Sequence, residues 1–253
     1  PYTTLFRSNS VLTSPLSRAD VEGVYAGLRP LLSGESDSTS KLSREHVVGH
    51  PVPGLVVVAG GKYTTYRVMA ADAVDEAARG MDSLVAPSCT ARIPLAGADG
   101  YAALWNQRHA LAATSGLHVA RVEHLLGRYG SLVHELLDLV RADPALGLPL
   151  AGADDYLQVE AVYAVTHEGA AHVEDVLARR TRISIEAWDR GVEAAPAVAA
   201  LMAGPLGWDE ATVASEVEHY IERVRAERLS QDQPDDASAD AVRLAAPEIV
   251  PGG

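Results

Sequence analysis

The stretch Leu55-Val56-Val57-Val58-Ala59-Gly60-Gly61-Lys62-Tyr63-Thr64-Thr65-Tyr66-Arg67 joins an apolar run to two glycines and a polar segment. Residues 55–59 are rich in valine and follow Pro53-Gly54, which predicts a buried strand bounded by turns. Beyond the glycines the spacing predicts a helix over about 64–79, with three inward-facing residues: Val68, Ala71 and Val74. The sequence thus predicts a strand, a tight turn and a helix in succession.

The turn between this strand and this helix suits an anion or the electron-rich edge of a cofactor. Adjacent glycines let the backbone approach a ligand, and Thr64 or Thr65 can cap a helix whose first N–H groups lack internal partners. Lys62 adds a full positive charge at the positive end of the helix dipole. A plain strand–turn–helix joint is the alternative, because glycine-rich turns are common.

Composition excludes several classes of protein. The formal net charge of −13 argues against nucleic-acid binding, because contact with phosphates needs clustered Lys and Arg. No run approaches the ~18 consecutive apolar residues of a membrane span, and no secretory signal is visible. The single cysteine, Cys89, cannot form an internal disulfide, which fits a reducing, cytoplasmic compartment.

The pattern of the chain changes after residue 84. Residues 85–100 contain prolines and glycines and are predicted to link a strand-and-helix segment (9–84) to a helical domain (101–230). Apolar residues recur at helical spacing within 101–230, where Asp154-Asp155 indicates the start of one helix. Residues 231–253 are polar and acidic and are expected to be disordered. The predicted fold class is therefore α+β, with a mainly α-helical C-terminal domain.

Three motifs carry a family resemblance. Residues 24–32 read Val-Tyr-Ala-Gly-Leu-Arg-Pro-Leu-Leu, residues 41–46 read Lys-Leu-Ser-Arg-Glu-His, and residues 53–67 run from Pro-Gly-Leu to Thr-Thr-Tyr-Arg. In this order they resemble the flavin-dependent, respiratory glycerol-3-phosphate dehydrogenases. Ala-Val-Thr-His-Glu-Gly (164–169) and Ala-Arg-Arg-Thr-Arg (178–182) extend a looser resemblance to that family's C-terminal domain.

The resemblance also shows what this sequence lacks. Members of that family are roughly twice as long and begin with a Gly-x-Gly-x-x-Gly turn for the ADP half of FAD, a motif that occurs nowhere here. Residues 1–8 resemble a translated sequencing adapter, with a native strand as the alternative. We therefore expect the 253-residue chain alone to bind no FAD, to be inactive and to aggregate, because strands at 42–49 and 55–59 would expose unpaired edges.

The resemblance implies two groups of site residues. Glycerol 3-phosphate is a small dianion that needs fixed cations, and the planar fork of arginine suits phosphate best. The implied substrate-binding residues are Arg29, Arg44 and Lys62. The implied FAD-binding residues are Gly60, Gly61, Lys62, Thr64 and Thr65. For each cation the alternative is a solvated surface charge.

The implied reaction is oxidation of sn-glycerol 3-phosphate to dihydroxyacetone phosphate, with hydride transfer to FAD and electrons passed to quinone. Delivery to quinone implies peripheral association with the inner face of the membrane. The general base stays open: His46 is near Arg44 in sequence, but an exposed strand histidine is the favoured alternative. An oxidase that uses oxygen and a non-catalytic helical interaction module are the alternative functions.

Two further polar groups in the helical region invite functional interpretations. His167-Glu168 has no second histidine at helical spacing, so no metal site is predicted and a structural role is favoured. Arg179, Arg180 and Arg182 form the one local basic cluster. They either complement a helix C-terminus or contact an anionic membrane surface, although three charges make a weak patch.

Overall fold

The computed structural model describes residues 8–17, 20, 45–81 and 83–247, and its backbone separates into two compact units. The division falls between Asp99 and Gly100. We refer to the described residues 45–99 as the hairpin unit and to residues 100–247 as the helical unit. The predicted linker at 85–100 contains one short 3-10 turn, Thr90–Arg92, and is almost entirely exposed.

The hairpin unit contains two antiparallel strands and one helix. Strand β1 (His46–Val52) pairs with β2 (Leu55–Gly60), and His46 lies opposite Gly60. Gly54 has φ 82° in the turn between them, a conformation that favours glycine. A 3-10 turn (Tyr63–Thr65) then leads into α1 (Tyr66–Ala78). The predicted order of strand, turn and helix is confirmed.

The predicted burial of this unit is wrong. Three side chains of β2 (Leu55, Val57 and Val58) are between 40% and 47% exposed, and no residue of β1, β2 or α1 is buried. Val68 and Val74, both expected to face inward, are more than half exposed. The reason is geometric: two strands and one helix enclose too little volume to cover their own apolar side chains.

The helical unit is built around nine α-helices and one short hairpin, counted over residues 100–247. Its helices are α2 (Tyr101–Asn106), α3 (Arg108–Ser115), α4 (Val119–Tyr129), α5 (Val133–Ala142), α6 (Gln158–Thr166), α7 (Ile183–Glu186), α8 (Ala195–Leu206), α9 (Glu210–Gln231) and α10 (Asp236–Leu244). Strands β3 (Pro149–Leu150) and β4 (Ala153–Leu157) pair antiparallel, and 3-10 turns occupy Gly130–Leu132 and Pro144–Gly147. A π-helix at Asp175–Arg180 connects α6 to α7.

The core of the helical unit consists of two apolar clusters. One is centred on α4 and α5, where Leu125, Leu126 and Leu136 are fully buried. The other packs α8 against α6 and α9 through residues such as Val198 and Met202. Leucine and valine dominate the first cluster, and alanine and valine the second. The predicted α+β class with a helical C-terminal domain is confirmed.

Two local predictions within the helical unit are wrong. Asp154-Asp155 lies in strand β4 rather than at a helix start, because Gly152 (φ 76°) turns the chain back toward β3. The helix begins only after Leu157, where the Glu160 carboxylate accepts the Leu157 N–H at 2.8 Å.

The second correction concerns the segment expected to be disordered, 231–253. Its residues 236–244 form α10, which packs on α9. Asp235 caps α10 by accepting the Ser238 N–H at 2.8 Å, and Ala239 is buried. A local N-cap and one small buried residue therefore order a segment whose composition is polar.

Candidate functional site

The turn predicted to bind phosphate or flavin begins where β2 ends. Gly60 and Gly61 have φ of 79° and 78°, so both need the left-handed conformation that glycine adopts readily. A Cβ on Gly61 would lie 2.5 Å from Sδ of Met69 and 3.2 Å from Cβ of His46. The second glycine is therefore required both by backbone conformation and by close packing against the helix and β1.

The two threonines lie on the surface beside this turn. Thr64 and Thr65 are exposed, and the Thr65 hydroxyl accepts the Lys62 N–H at 3.3 Å and donates to the Lys62 carbonyl at 3.0 Å. No threonine side chain caps α1, contrary to the sequence prediction. The Thr65 hydroxyl instead closes the turn on itself, which fixes the backbone of Lys62.

Lys62 is exposed and its charge is not neutralised by the neighbouring helix. Two of the three carboxylates of α1 pair elsewhere, Asp72 with His46 and Glu76 with both His50 and Arg79, and the third, Asp75, forms no ion pair within the described residues. The hydrogen bond from His50, reinforced by Arg79, holds the pKa of Glu76 below its ordinary value. Among the described residues, Lys62 forms no ion pair, so this turn carries a positive charge available to an anion.

His46, the candidate base, is held by a carboxylate. Its Nε2 lies 2.7 Å from Oδ2 of Asp72, and its side chain is 19% exposed. When a carboxylate accepts a hydrogen bond from one ring N–H of a neutral histidine, the other ring nitrogen is left as an acceptor. The geometry thus permits His46 to accept a proton at Nδ1. The two arginines predicted to bind substrate, Arg29 and Arg44, lie outside the described residues.

A second polar cluster, which the sequence did not reveal, is buried in the helical unit. The Glu160 carboxylate, 1% exposed, accepts hydrogen bonds from His124 Nε2 at 3.0 Å and from the Tyr129 hydroxyl at 3.2 Å, besides the Leu157 N–H. The Arg128 guanidinium lies 3.2 Å away. These donors offset the large cost of burying a carboxylate.

His167 and Glu168 occupy different environments from each other. The His167 ring stacks on Tyr163 with 4.3 Å between centroids. Glu168 has an Oε2 atom that is buried without a hydrogen-bond partner in the described part of the chain. Burial raises the pKa of Glu168, although Arg180 and Arg128 act in the opposite direction. Neither residue belongs to a group of three or more potential metal ligands, of which the described residues contain none.

The basic cluster of three arginines is dispersed among separate partners. Arg179 pairs with Glu174 and Asp175, whereas Arg182 pairs with Glu186. The Arg180 Nε donates to the carbonyl of Glu168 at 2.9 Å. Their charges are thus engaged within the unit. None of the helices in the described ranges combines the length and the apolarity that a bilayer crossing requires.

Comparisons with known proteins match this chain to one family. The model of a domain described as the C-terminal domain of alpha-glycerophosphate oxidase matches residues 88–213. "Glycerol-3-phosphate dehydrogenase 2" of Mycobacterium tuberculosis is 58% identical over 240 residues, which cover 95% of this chain and 41% of that protein. "Glycerol-3-phosphate dehydrogenase" of Mycobacterium leprae matches with the same identity and coverage.

The similarity reaches more distant organisms. "Glycerol-3-phosphate dehydrogenase, mitochondrial" of Bos taurus is 32% identical over 206 residues, 79% of this chain and 28% of that protein. The chain therefore spans about two fifths of the length of the mycobacterial relatives, and less of the mitochondrial one. The family resemblance noted from the three sequence motifs is confirmed.

Proposed function

This chain belongs to the glycerol-3-phosphate dehydrogenase family, and from that premise we propose that the enzyme containing it oxidises sn-glycerol 3-phosphate to dihydroxyacetone phosphate. The observation that carries the proposal is the Gly60-Gly61-Lys62 turn, which presents an unneutralised ammonium group beside two left-handed glycines. Relatives with 58% identity bear the name of this activity.

Lys62 is proposed to bind the phosphate group of the substrate together with Arg29 and Arg44. A dianion is held by several charge-assisted hydrogen bonds, and removal of one costs about 1.5–3 kcal/mol. The Thr65 hydroxyl supports this role, because it fixes the backbone from which the Lys62 side chain extends. His46, held by Asp72, is the proposed acceptor of the hydroxyl proton.

FAD is the proposed cofactor, and when bound it supplies the hydride acceptor. Gly60, Gly61, Lys62, Thr64 and Thr65 form the turn proposed to face the ring edge, where Lys62 supplies positive charge and the N-terminus of α1 adds its helix dipole. The charge of these residues fits the edge of a reduced flavin, since Lys62 is exposed and forms no ion pair with a described residue, whereas the space beside Gly61 is filled by Met69.

Quinone is the proposed electron acceptor, and a peripheral position at the inner face of the membrane follows from its solubility in lipid. Oxygen is the alternative acceptor, favoured by the description of the domain that matches residues 88–213 as part of an oxidase. Oxygen uptake during substrate oxidation, measured with and without an added quinone analogue, distinguishes these two acceptors.

The site is tested by Lys62→Gln in the complete flavoenzyme. We expect kcat/KM for glycerol 3-phosphate to fall at least about tenfold, because a charged hydrogen bond to the substrate is lost. Arg92→Gln is the matched control: it removes one exposed positive charge from the same unit and leaves kcat/KM unchanged. Equal activity of both variants would exclude Lys62 from the substrate site.

A further inference from the structure

We propose that a cavity in the helical unit binds a small oxyanion of the phosphate class, either inorganic phosphate or a small phosphate monoester. The cavity has a volume of about 850 Å³ and lies where the N-terminus of α4 approaches β4 and α7. Three arginines and two histidines line it, against two carboxylates. The arginines of the lining exceed its carboxylates by one, in a chain whose formal net charge is −13.

Arg121 is the residue that points most directly to an anionic ligand. It is the third residue of α4, is half-buried and lines the cavity. Other arginines of the unit, such as Arg108 and Arg190, pair with carboxylates. Within the described ranges Arg121 has neither a hydrogen-bond partner nor an ion pair. A half-buried guanidinium without a partner carries a desolvation cost that a bound anion removes.

His118 supplies a second donor at the same end of α4. Its Nδ1 accepts the Ala120 N–H at 3.3 Å, so the proton of the neutral ring lies on Nε2. His118 also lines the cavity and is exposed. The helix dipole of α4 adds positive potential at this end. A tetrahedral oxyanion can accept from both the His118 and the Arg121 donors, while the helix terminus stabilises its charge.

The other two arginines of the cavity are fixed by their own partners. Arg128 lies beside Glu160 and donates to the carbonyl of Arg180 at 2.6 Å, while its guanidinium lies 5.1 Å from the centroid of the Tyr156 ring. Arg182 pairs with Glu186. These residues shape the cavity and leave Arg121 as the charge that a ligand would neutralise.

One lining carboxylate opposes the ligand. Asp155 lies on β4, is exposed and pairs with no described cation, whereas the other, Glu186, is offset by Arg182 and by the Tyr156 hydroxyl at 2.7 Å. Asp155 weakens anion binding by like-charge repulsion. The proposal therefore predicts opposite effects from removing Arg121 and from removing the charge of Asp155.

The experiment measures ligand binding to the 253-residue chain without flavin, in solutions where light scattering detects no aggregate. All three tryptophans, Trp105, Trp188 and Trp208, lie in the helical unit, so the urea midpoint from tryptophan fluorescence reports on that unit. Inorganic phosphate, glycerol 3-phosphate and acetate are titrated at constant ionic strength set with potassium chloride. We expect both phosphates to raise the midpoint and acetate to raise it less. Tighter binding of glycerol 3-phosphate would identify a monoester as the ligand, and equal binding would identify free phosphate.

Two pairs of variants test the assignment. Arg121→Gln should weaken phosphate binding at least about tenfold, whereas Arg92→Gln, which removes the same charge outside the cavity, should leave it unchanged. Asp155→Asn should tighten phosphate binding about two- to fivefold. Asp154→Asn, the variant of the neighbouring residue, should leave phosphate binding unchanged. Far-UV circular dichroism verifies that each variant is folded.

Two results would overturn the proposal: no phosphate-dependent shift in the unmodified chain, or equal binding by Arg121→Gln and Arg92→Gln. Because the proposal is independent of the substrate site, Lys62→Gln should leave the phosphate-dependent shift intact. Failure of the glycerol 3-phosphate reaction therefore would not count against this cavity, nor would failure of phosphate binding count against Lys62.

Discussion

The hairpin unit and the helical unit use similar apolar residues with opposite results. All the buried apolar side chains of the described residues lie between Val122 and Ala239, in the helical unit. In the hairpin unit, Val57 and Val58 lie on a valine-rich strand and yet are about 40% exposed. An apolar run therefore specifies a strand, whereas the burial of its side chains depends on the number of elements that pack over it.

The comparison also separates two kinds of site. In the hairpin unit, the turn proposed to bind substrate and flavin depends on local backbone conformation at Gly60 and Gly61 and on the exposed charge of Lys62. In the helical unit, the Glu160 cluster depends on contacts such as that with His124, 36 residues away in sequence. The turn in the hairpin unit therefore depends little on how the apolar side chains pack. The Glu160 cluster forms only when the helices that carry its members pack together.

The largest loss of stability is expected from Leu136→Ala in the helical unit. Leu136 is fully buried in α5, so its truncation removes apolar burial and leaves a cavity. We expect the free energy of unfolding of the helical unit to fall by about 3–4 kcal/mol. Urea denaturation followed by tryptophan fluorescence measures this change. A loss below about 1 kcal/mol would mean that the α4–α5 cluster is loosely packed.

The next effect is expected from Glu160→Gln. The amide preserves volume but removes the charge that Arg128 and His124 face, so we expect a loss of about 2–3 kcal/mol. Glu218→Gln, an exposed position on α9, is the matched control and should change the midpoint little. Equal midpoints for the two variants would show that the buried network contributes nothing to stability.

Glu168→Gln should have a smaller effect of opposite sign. Burial raises the pKa of Glu168, so the folded state binds its proton more tightly than the unfolded state does. The contribution of this carboxyl group to the free energy of unfolding is therefore lost as pH rises from the ordinary pKa through the raised pKa. We expect the glutamine variant to be more stable at pH 7 by up to about 1 kcal/mol.

The pH dependence supplies the check on Glu168→Gln. The difference in urea midpoint between the variant and the parent chain should shrink as pH falls below the ordinary carboxyl pKa, where the parent side chain is neutral in both states. A variant that is less stable at pH 7 would instead indicate that the attraction of Arg180 and Arg128 outweighs burial.

The smallest effect is expected in the hairpin unit, from Val57→Thr. The side chain is already substantially exposed and threonine keeps the β-branched shape that suits a strand. The tryptophan-detected stability should change by less than about 0.5 kcal/mol. A loss of free energy of unfolding as large as that expected for Leu136→Ala would contradict this distinction, because it would mean that the hairpin unit stabilises the helical unit.

The sequence predicted local features more successfully than non-local ones. The strand at 55–59, the glycine turn and the helix after it follow from patterns within a few residues. The strand at Asp154-Asp155 was not predictable in this way, because acidic residues before an apolar run also fit a helix N-terminus.

The Glu160 cluster shows why a buried polar network could not be predicted. Glu160 stands between apolar neighbours, Val159 and Ala161, and this single carboxylate on an otherwise apolar helix was the one available signal. Nothing in the sequence identifies His124, Tyr129 or Arg128 as its partners, because the pairing depends on how α4 packs against α6. The pairing of His46 with Asp72 is non-local in the same sense.

The π-helix at Asp175–Arg180 limits how this chain can change in length. Its wide turn, closed by the Thr181 N–H to the Val176 carbonyl at 2.9 Å, accommodates one residue more than an α-helical turn would. Deleting Ala178 would remove this extra residue and restore the ordinary helical repeat, so that the residues on either side keep their register. A second deletion would rotate the residues before it relative to Arg180 by about 100°, and the contact of Arg180 with the Glu168 carbonyl would be lost.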